Sequence, residues 1–209
     1  MKIAVINETS AADRNADIIS ALNGFGHEVF NVGMNKMGEK PELTYIETAL
    51  LAALLLNTGR VDFVIGGCGT GQGFLNAVMQ YPGIFCGLIQ EPLDAWLFAQ
   101  INCGNCISLA LNKGYGWAGD INLLFIFERL FSVEWGKGYP EHRSQSQAVS
   151  RKKLENISRA SHRPLYEILE NIDGNIVKNA GQYPGVAELI DIDTLSDSKL
   201  RHVLLKYIK

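Results

Sequence analysis

One cysteine stands within a run of glycines, Gly66-Gly67-Cys68-Gly69-Thr70-Gly71-Gln72-Gly73. The apolar, partly β-branched stretch before it, residues 61–65, is typical of a buried parallel strand. Glycines let a ligand approach the backbone closely, and N–H groups ahead of a helix bind anions. The pattern predicts a strand, a loop and a helix, in which the thiol either acts as a base or nucleophile or simply fills space at the strand end.

The glycine run does not fit the common nucleotide-binding motifs. Counted from Gly67 or Gly69, the last position of a Gly-x-Gly-x-x-Gly fingerprint falls on Gln72 or Phe74. The Lys-Ser/Thr ending of a P-loop is also missing. We therefore expect a sugar or a phosphate-bearing metabolite as the ligand, and a nucleotide-dependent oxidoreductase is disfavoured.

Metal-binding patterns are weak. Cys103 and Cys106 have the spacing of half a zinc or redox site, but the sequence has no second pair and no histidine close to them. The four histidines, at positions 27, 142, 162 and 202, have no spacing typical of metal ligands. We predict no metal.

Length and composition are ordinary for a soluble globular protein, with 209 residues, 47% hydrophobic and 20% charged. The net charge of -3 argues against nucleic acid or an anionic membrane as the main partner. The apolar run at residues 48–57 is too short to span a bilayer, and the cysteines lack a secreted disulfide pattern. We expect a cytoplasmic protein that acts on small molecules.

Strand and helix patterns alternate as far as residue 131. We predict five strands, at residues 2–6, 28–32, 61–65, 84–90 and 106–111. Alternation of this kind requires a parallel sheet with helices on both faces, a Rossmann-like three-layer α/β/α fold. Because the fourth strand is mostly apolar, we expect it near the middle of the sheet.

The composition changes after residue 131. Residues 141–153 are polar, and weak helical patterns follow at residues 154–160, 164–172 and 196–208. We divide the chain into an α/β domain, residues 1–145, and a helical C-terminal extension, residues 146–209. The basic side chains near the boundary are interpreted as a solvated face, except that the planar guanidinium of Arg143 is suited to phosphate.

The cysteine loop resembles that of the ribose-5-phosphate isomerase B and galactose-6-phosphate isomerase family. Tyr45 falls at the position of the family's loop tyrosine, and Gly83-Ile84 and Glu91-Pro92 have the family's spacing. Asn102 and Asn105 are similar to its Asn-Asp-x-Asn turn. The resemblance covers about one domain, residues 1–145.

This resemblance implies aldose–ketose isomerisation of a phosphorylated sugar through a cis-enediolate, without metal or cofactor. Cys68 would be the base that moves a proton between adjacent carbons, and Thr70 would donate a hydrogen bond. Backbone N–H groups of the loop would bind the enediolate oxygens. A homodimer with sites between subunits is also implied. The substrate-binding residues would be Glu8, Tyr45, Gly69, Gly71, Gln72, Gly73, Asn102 and Arg143.

Three positions depart from the family pattern. Glu8-Thr9 stands where many members have Asp-His, Ile101-Asn102-Cys103 where they have His-Asn-Asp, and Gln147 at the second of two arginines. These changes affect the phosphate and ring-opening ends of the site and leave the proton-transfer loop intact. They favour an isomerase that acts on another sugar or another anionic carbohydrate. A non-catalytic sugar or sugar-phosphate binding protein is the alternative.

Overall fold

The computed structural model describes residues 1–208 and contains a five-stranded parallel sheet. The strand order is β2-β1-β3-β5-β4, and all four neighbouring pairs are parallel. The predicted three-layer α/β fold is confirmed. The strands are β1 (Lys2–Asn7), β2 (Glu28–Asn31), β3 (Phe63–Cys68), β4 (Cys86–Ile89) and β5 (Cys106–Ala110).

The prediction that the fourth strand lies near the middle of the sheet is wrong, because β5 inserts between β3 and β4. The β4 strand is an edge strand, and only Ile89 in it is fully buried. The Phe98 ring packs directly on Gly87, whereas Cys86 and Leu88 are half-buried and line a cavity. An apolar strand therefore does not by itself indicate a central position in the sheet.

Helices cover both faces of the sheet. The α1, α4 and α5 helices share one hydrophobic cluster with side chains of β1, β3 and β5, and the α2 and α3 helices lie on the other face. A 3-10 helix follows β1, and a π-helix continues α4. The bounds are Thr9–Arg14 (3-10), α1 (Asn15–Leu22), α2 (Tyr45–Asn57), α3 (Gln72–Val78), α4 (Pro92–Leu97), Phe98–Asn102 (π) and α5 (Gly119–Phe131).

The α2 helix is buried around its whole circumference. It begins with a capping box, in which the Thr44 hydroxyl accepts the Ile46 N–H and Glu47 accepts the Thr44 N–H at 2.9 Å. Every residue from 48 to 55 is buried. A helix that is apolar on all sides needs cover on two sides, and the sheet supplies only one.

The C-terminal helices supply the other side. Side chains of α7, α8, α9 and α10, which we call the C-terminal layer, join α2 in one hydrophobic cluster. No helix in residues 1–208 is long and apolar enough to cross a membrane. The bounds are α6 (Ser144–Ser161), α7 (Leu165–Asn171), α8 (Gly174–Gly181), α9 (Val186–Ile190) and α10 (Ser198–Leu204).

Candidate active site

Cys68 is the last residue of β3 and lies at the carboxyl edge of the sheet. Its register partner in β5 is Ala110, and the preceding Gly67 pairs with Asn7 of β1. The Cys68 side chain is 6% exposed, and its Sγ atom lies 3.9 Å from the Thr70 Oγ1 atom. The structure thus brings the predicted base and its hydroxyl neighbour together.

The glycines before Cys68 allow β3 to pack closely against its surroundings. A Cβ atom at Gly66 would lie 2.2 Å from the Phe74 ring, and one at Gly67 would lie 2.4 Å from the Leu109 carbonyl oxygen. Neither position has room for a side chain. The carboxyl end of β3 is therefore fixed on both sides before the cysteine is reached.

The glycines after Cys68 form the turn into α3. Gly71 has a φ of 76°, a left-handed conformation that favours glycine. Its carbonyl oxygen accepts the Ser108 hydroxyl at 2.6 Å. Tyr45, the first residue of α2, is 43% exposed, and its ring lies 3.1 Å from the Cβ position of Gly73. Tyr45 therefore lies beside the loop, as the resemblance implies.

Two N–H groups of the loop are open to an anion. Three others already have acceptors: Gly69 donates to the Ser10 hydroxyl at 3.2 Å, Gly71 to the Cys68 carbonyl at 3.2 Å and Gln72 to the Thr70 hydroxyl at 3.3 Å. Within residues 1–208 the N–H groups of Thr70 and Gly73 have no acceptor. Of the N–H groups predicted to bind an anion, these two are therefore the available donors.

Glu8 reaches the loop through Ser10. Its carboxylate is 3% exposed and accepts both the Ser10 N–H, at 3.1 Å, and the Ser10 hydroxyl. The Ser10 hydroxyl in turn accepts the Gly69 N–H, and Asn112 donates to the Ser10 carbonyl at 2.6 Å. From the sequence, Ser10 is one of several polar residues after the first strand, where sites commonly lie, and Asn112 was missed. The sequence feature that could have indicated both residues is that each is polar and lies within three residues of the end of β1 or β5.

Asn102 and Arg143 do not join the cysteine loop within one chain. Asn102 ends the π-helix and lines a cavity of about 480 Å³ between β4 and α6, and residues 68–73 do not line that cavity. Arg143 ends the exposed 3-10 helix Glu141–Arg143, and its Nε atom donates to the Ser146 hydroxyl at 3.4 Å. Within residues 1–208, no hydrogen bond joins either residue to Cys68 or its loop.

The other three cysteines do not belong to the cysteine loop. All four thiols are free, and Cys106 lies in β5 opposite Cys86 of β4. Burial raises the pKa of Cys106, and the neighbouring Cys86 raises it further. Within residues 1–208, no three potential metal-binding side chains cluster. The Cys103 and Cys106 spacing thus crosses from a loop into a buried strand.

Residues 3–128 match the family model described as Ribose/Galactose Isomerase, which covers more than half of the chain. The chain belongs to this family. It is therefore a sugar isomerase by family, and the predicted resemblance is confirmed.

Two solved structures match this isomerase over its full length. One is a 4-deoxy-L-threo-5-hexosulose-uronate ketol-isomerase complexed with a tartrate, with 38% identity, 99% of both chains covered and a TM-score of 0.92. The other is a ribose-5-phosphate isomerase from Vibrio parahaemolyticus, with 41% identity, 100% of this chain and 99% of that chain covered, and a TM-score of 0.93.

A shorter relative matches less of the chain. A ribose 5-phosphate isomerase from Thermotoga maritima is 25% identical and has a TM-score of 0.54. The match covers 96% of that protein but 70% of this chain. The remainder of this chain thus has counterparts in the two full-length matches and not in this shorter one.

Proposed function

We propose that this isomerase interconverts the aldose and ketose forms of an anionic sugar, with Cys68 as the base. The observation that carries the proposal is the position of the Cys68 thiol, beside the Thr70 hydroxyl and the open N–H groups of Thr70 and Gly73. A base and donors for a developing negative charge are the two groups that enediolate chemistry requires. One short loop supplies both.

The reaction moves one proton between neighbouring carbons. The Cys68 thiolate takes the proton from the carbon next to the aldehyde, the C–H electron pair forms the enediolate double bond, and the aldehyde oxygen takes the negative charge. The thiol then returns its proton to the former aldehyde carbon. The remaining hydroxyl proton passes to the first oxygen, and we assign its relay to the Thr70 hydroxyl. No oxidant or reductant is consumed.

We further propose that the substrate is an open-chain uronate. Thr9 and Ile101 stand where the family pattern has its phosphate-site and ring-opening histidines, so no imidazole is present at either position. A full-length relative is named as a 4-deoxy-5-hexosulose-uronate isomerase. Such a sugar has no hydroxyl on C4 or C5 to close a five- or six-membered ring. An open-chain substrate needs no residue for ring opening, which fits the two substitutions.

A phosphorylated sugar is the second candidate. The full-length relative from Vibrio parahaemolyticus is named as a ribose-5-phosphate isomerase. The exposed guanidinium of Arg143 also suits a phosphate. This candidate requires another residue to open the ring.

A substrate panel separates these candidates. The 4-deoxy-5-hexosulose uronate and ribose 5-phosphate are each incubated with the protein in D₂O, and NMR follows interconversion and deuterium incorporation. We expect turnover of the uronate to exceed that of the phosphate. The reverse order would favour the second candidate, and binding without turnover of either would favour a non-catalytic sugar-binding protein.

Cys68→Ser tests the base. Because the change is nearly isosteric, we expect the fold to persist and turnover to fall by about 10³-fold. Cys106→Ser is the matched control, since Cys106 is also buried but begins β5, at the end of the sheet opposite to Cys68, and it should retain activity. An active Cys68→Ser protein would exclude Cys68 as the base.

We also propose that the active form is a homodimer in which Asn102 and Arg143 of one subunit complete the site of the other. The support is their separation from Cys68 within one chain. Two inactive variants, Cys68→Ser and Arg143→Ala, are unfolded together, refolded as a mixture and assayed. Mixed dimers contain one intact site, so about a quarter of full activity should return. No recovery would place each site within one chain.

A further inference from the structure

Tyr183 connects the C-terminal layer to a loop near the site. Its side chain, between α8 and α9, is 5% exposed and lies in the cluster around α2. The phenolic O–H donates to a Glu39 carboxylate oxygen at 2.7 Å, across 144 positions of sequence. Glu39 belongs to the segment between β2 and α2, residues 32–44, which we call the β2–α2 loop. The C-terminal layer is thereby bonded to this loop.

Glu39 holds the first half of the β2–α2 loop. The oxygen that accepts from Tyr183 also accepts the Asn35 N–H at 2.9 Å. The Asn35 side-chain oxygen accepts from Asn31 at 2.8 Å, and Asn31 exchanges two amide hydrogen bonds of 2.8 Å with Asn15. Glu39 is therefore linked by hydrogen bonds to the amide side chains of Asn31 and Asn15 through Asn35.

This amide chain ends beside the cysteine strand. Asn15 donates to the Asn7 side-chain oxygen at 3.3 Å, and these two residues are 4% and 1% exposed. The Asn7 carbonyl accepts the N–H of Met34, at the start of the β2–α2 loop, at 2.9 Å. Asn7 is also the register partner of Gly67, the residue before Cys68. The loop is therefore bonded to β1 at the level of the site.

The C-terminal end of the β2–α2 loop precedes Tyr45, which lies beside the cysteine loop. The Leu43 carbonyl accepts the Thr9 N–H at 2.8 Å, and Thr44 caps α2. Tyr45 follows at once, with its ring against Gly73. A shift of the loop would therefore move Tyr45 relative to the open N–H group of Gly73.

We propose that Tyr183 is a positioning residue which, through Glu39, holds the β2–α2 loop so that Tyr45 lies against Gly73 in the substrate-binding conformation. The inference rests on the proposed role of the cysteine loop. A protein whose binding-competent conformation is only partly populated loses apparent affinity by that fraction. Removal of the Tyr183 hydroxyl should therefore raise KM more than it lowers kcat.

The charge states of the pair support a strong hydrogen bond. Burial raises the pKa of Tyr183, and the hydrogen bond and charge of Glu39 raise it further, so the phenol remains a donor. Burial alone would raise the pKa of Glu39, but hydrogen bonds from Tyr183, Asn35 and Lys36, with the Lys36 charge, hold it below its usual value. An ionised acceptor strengthens the bond from the phenol.

Tyr183→Phe tests the proposal, with Tyr166→Phe as the control. Tyr166 is in the same layer and donates to the adjacent Glu167 at 3.1 Å, away from the β2–α2 loop. For Tyr183→Phe we expect KM to rise about fivefold, which corresponds to the loss of one net hydrogen bond. The value of kcat should change less than about twofold. Amide hydrogen exchange in residues 35–43 should accelerate by a similar factor. Tyr166→Phe should change neither quantity.

Variants of Glu39 provide the rescue test. Glu39→Gln keeps an acceptor and should lie close to the wild type in KM. Glu39→Ala also removes the acceptor of the Asn35 N–H and should raise KM at least as much as Tyr183→Phe. The double variant Tyr183→Phe/Glu39→Ala should add no further increase. Exchange is measured without sugar, so a failed substrate panel leaves this test intact. Unchanged exchange in residues 35–43, or faster exchange with an unchanged KM, would overturn the inference.

Discussion

The carboxyl edge of the sheet and the C-terminal layer are held together by different forces. At the edge, the carbonyl oxygens of Cys68 and Gly69 each accept two backbone N–H groups, and short polar side chains complete the network. In the layer, fully buried apolar side chains such as Leu169, Val177 and Leu204 pack towards α2. Directional bonds fix positions, whereas apolar contact mainly supplies free energy. The edge is suited to chemistry and the layer to stability.

The comparison also shows where one region depends on the other. The shorter Thermotoga relative matches only part of this chain, so a complete family fold exists with less chain around it. In this protein, however, residues 48–55 of α2 are buried on all sides. Without the layer, the side of α2 that faces away from the sheet would be exposed to water. The layer is therefore needed for stability here, although it contributes no residue to the cysteine loop.

Gly67→Ala should have the largest effect, because it acts on the directional packing of the edge. The new Cβ atom would lie 2.4 Å from the Leu109 carbonyl oxygen and 3.0 Å from the Leu109 nitrogen, both backbone atoms of β5. Since backbone cannot rotate away, we expect the free energy of unfolding to fall by about 4 kcal/mol and activity to be lost. Urea unfolding and the isomerase assay measure the two effects.

Gly116→Ala is the matched control for that substitution. A Cβ atom at Gly116 would meet no atom within 4 Å, and its backbone is not left-handed. Its stability should stay within about 0.5 kcal/mol of the wild type. Equal stability of the Gly67 and Gly116 variants would show that the edge is not tightly packed.

Leu204→Ala tests the apolar packing of the layer. Leu204 is 0% exposed in α10, and truncation of a buried leucine costs about 3 kcal/mol through lost transfer free energy and a residual cavity. We expect that loss in urea unfolding, with kcat unchanged at temperatures where the variant is folded. A fall in kcat in the folded variant would mean that the layer shapes the chemistry directly, which would break the distinction between the two regions.

Much of the edge could be predicted from the sequence, because its signals are local. The apolar run that ends in glycines marks both β3 and the loop, and Thr44 and Glu47 mark the start of α2. The position of β4 could not be predicted, since no local pattern encodes the crossover that places β5 between β3 and β4. Strand identity is local information, whereas strand order is not.

The layer and its contacts were harder to predict. The sequence indicates a helix at residues 154–160, but α6 begins at Ser144. The start was missed because the only buried residue of α6 is Ser158, so no apolar stripe marks its first turns. The α8 helix, which begins and ends at a glycine, and the five-residue α9 helix were both missed. The Glu39–Tyr183 bond joins positions 144 residues apart, which no local pattern connects. Contacts of this kind become visible only when the chain is folded.

Arg60→Met should have the smallest effect and sharpens the comparison most. Arg60 precedes β3, at the end of the sheet opposite to the site. Its guanidinium donates to the Ile190 carbonyl at 2.7 Å and to the Asp191 carbonyl at 3.0 Å. It also donates to the Thr194 hydroxyl. Loss of these bonds should lower the free energy of unfolding by about 1.5 kcal/mol. Because none of these bonds involves the β2–α2 loop, KM should not change.

Arg159→Met removes an exposed guanidinium from α6 and controls for the loss of one positive charge. It should leave both the stability and KM close to the wild type. Urea unfolding and the KM of both arginine variants are then compared with the KM of Tyr183→Phe. If Arg60→Met raised KM as much as Tyr183→Phe does, the layer would act on the site through its overall docking on α2. If only Tyr183→Phe raises KM, the layer acts on the site through the Tyr183–Glu39 hydrogen bond.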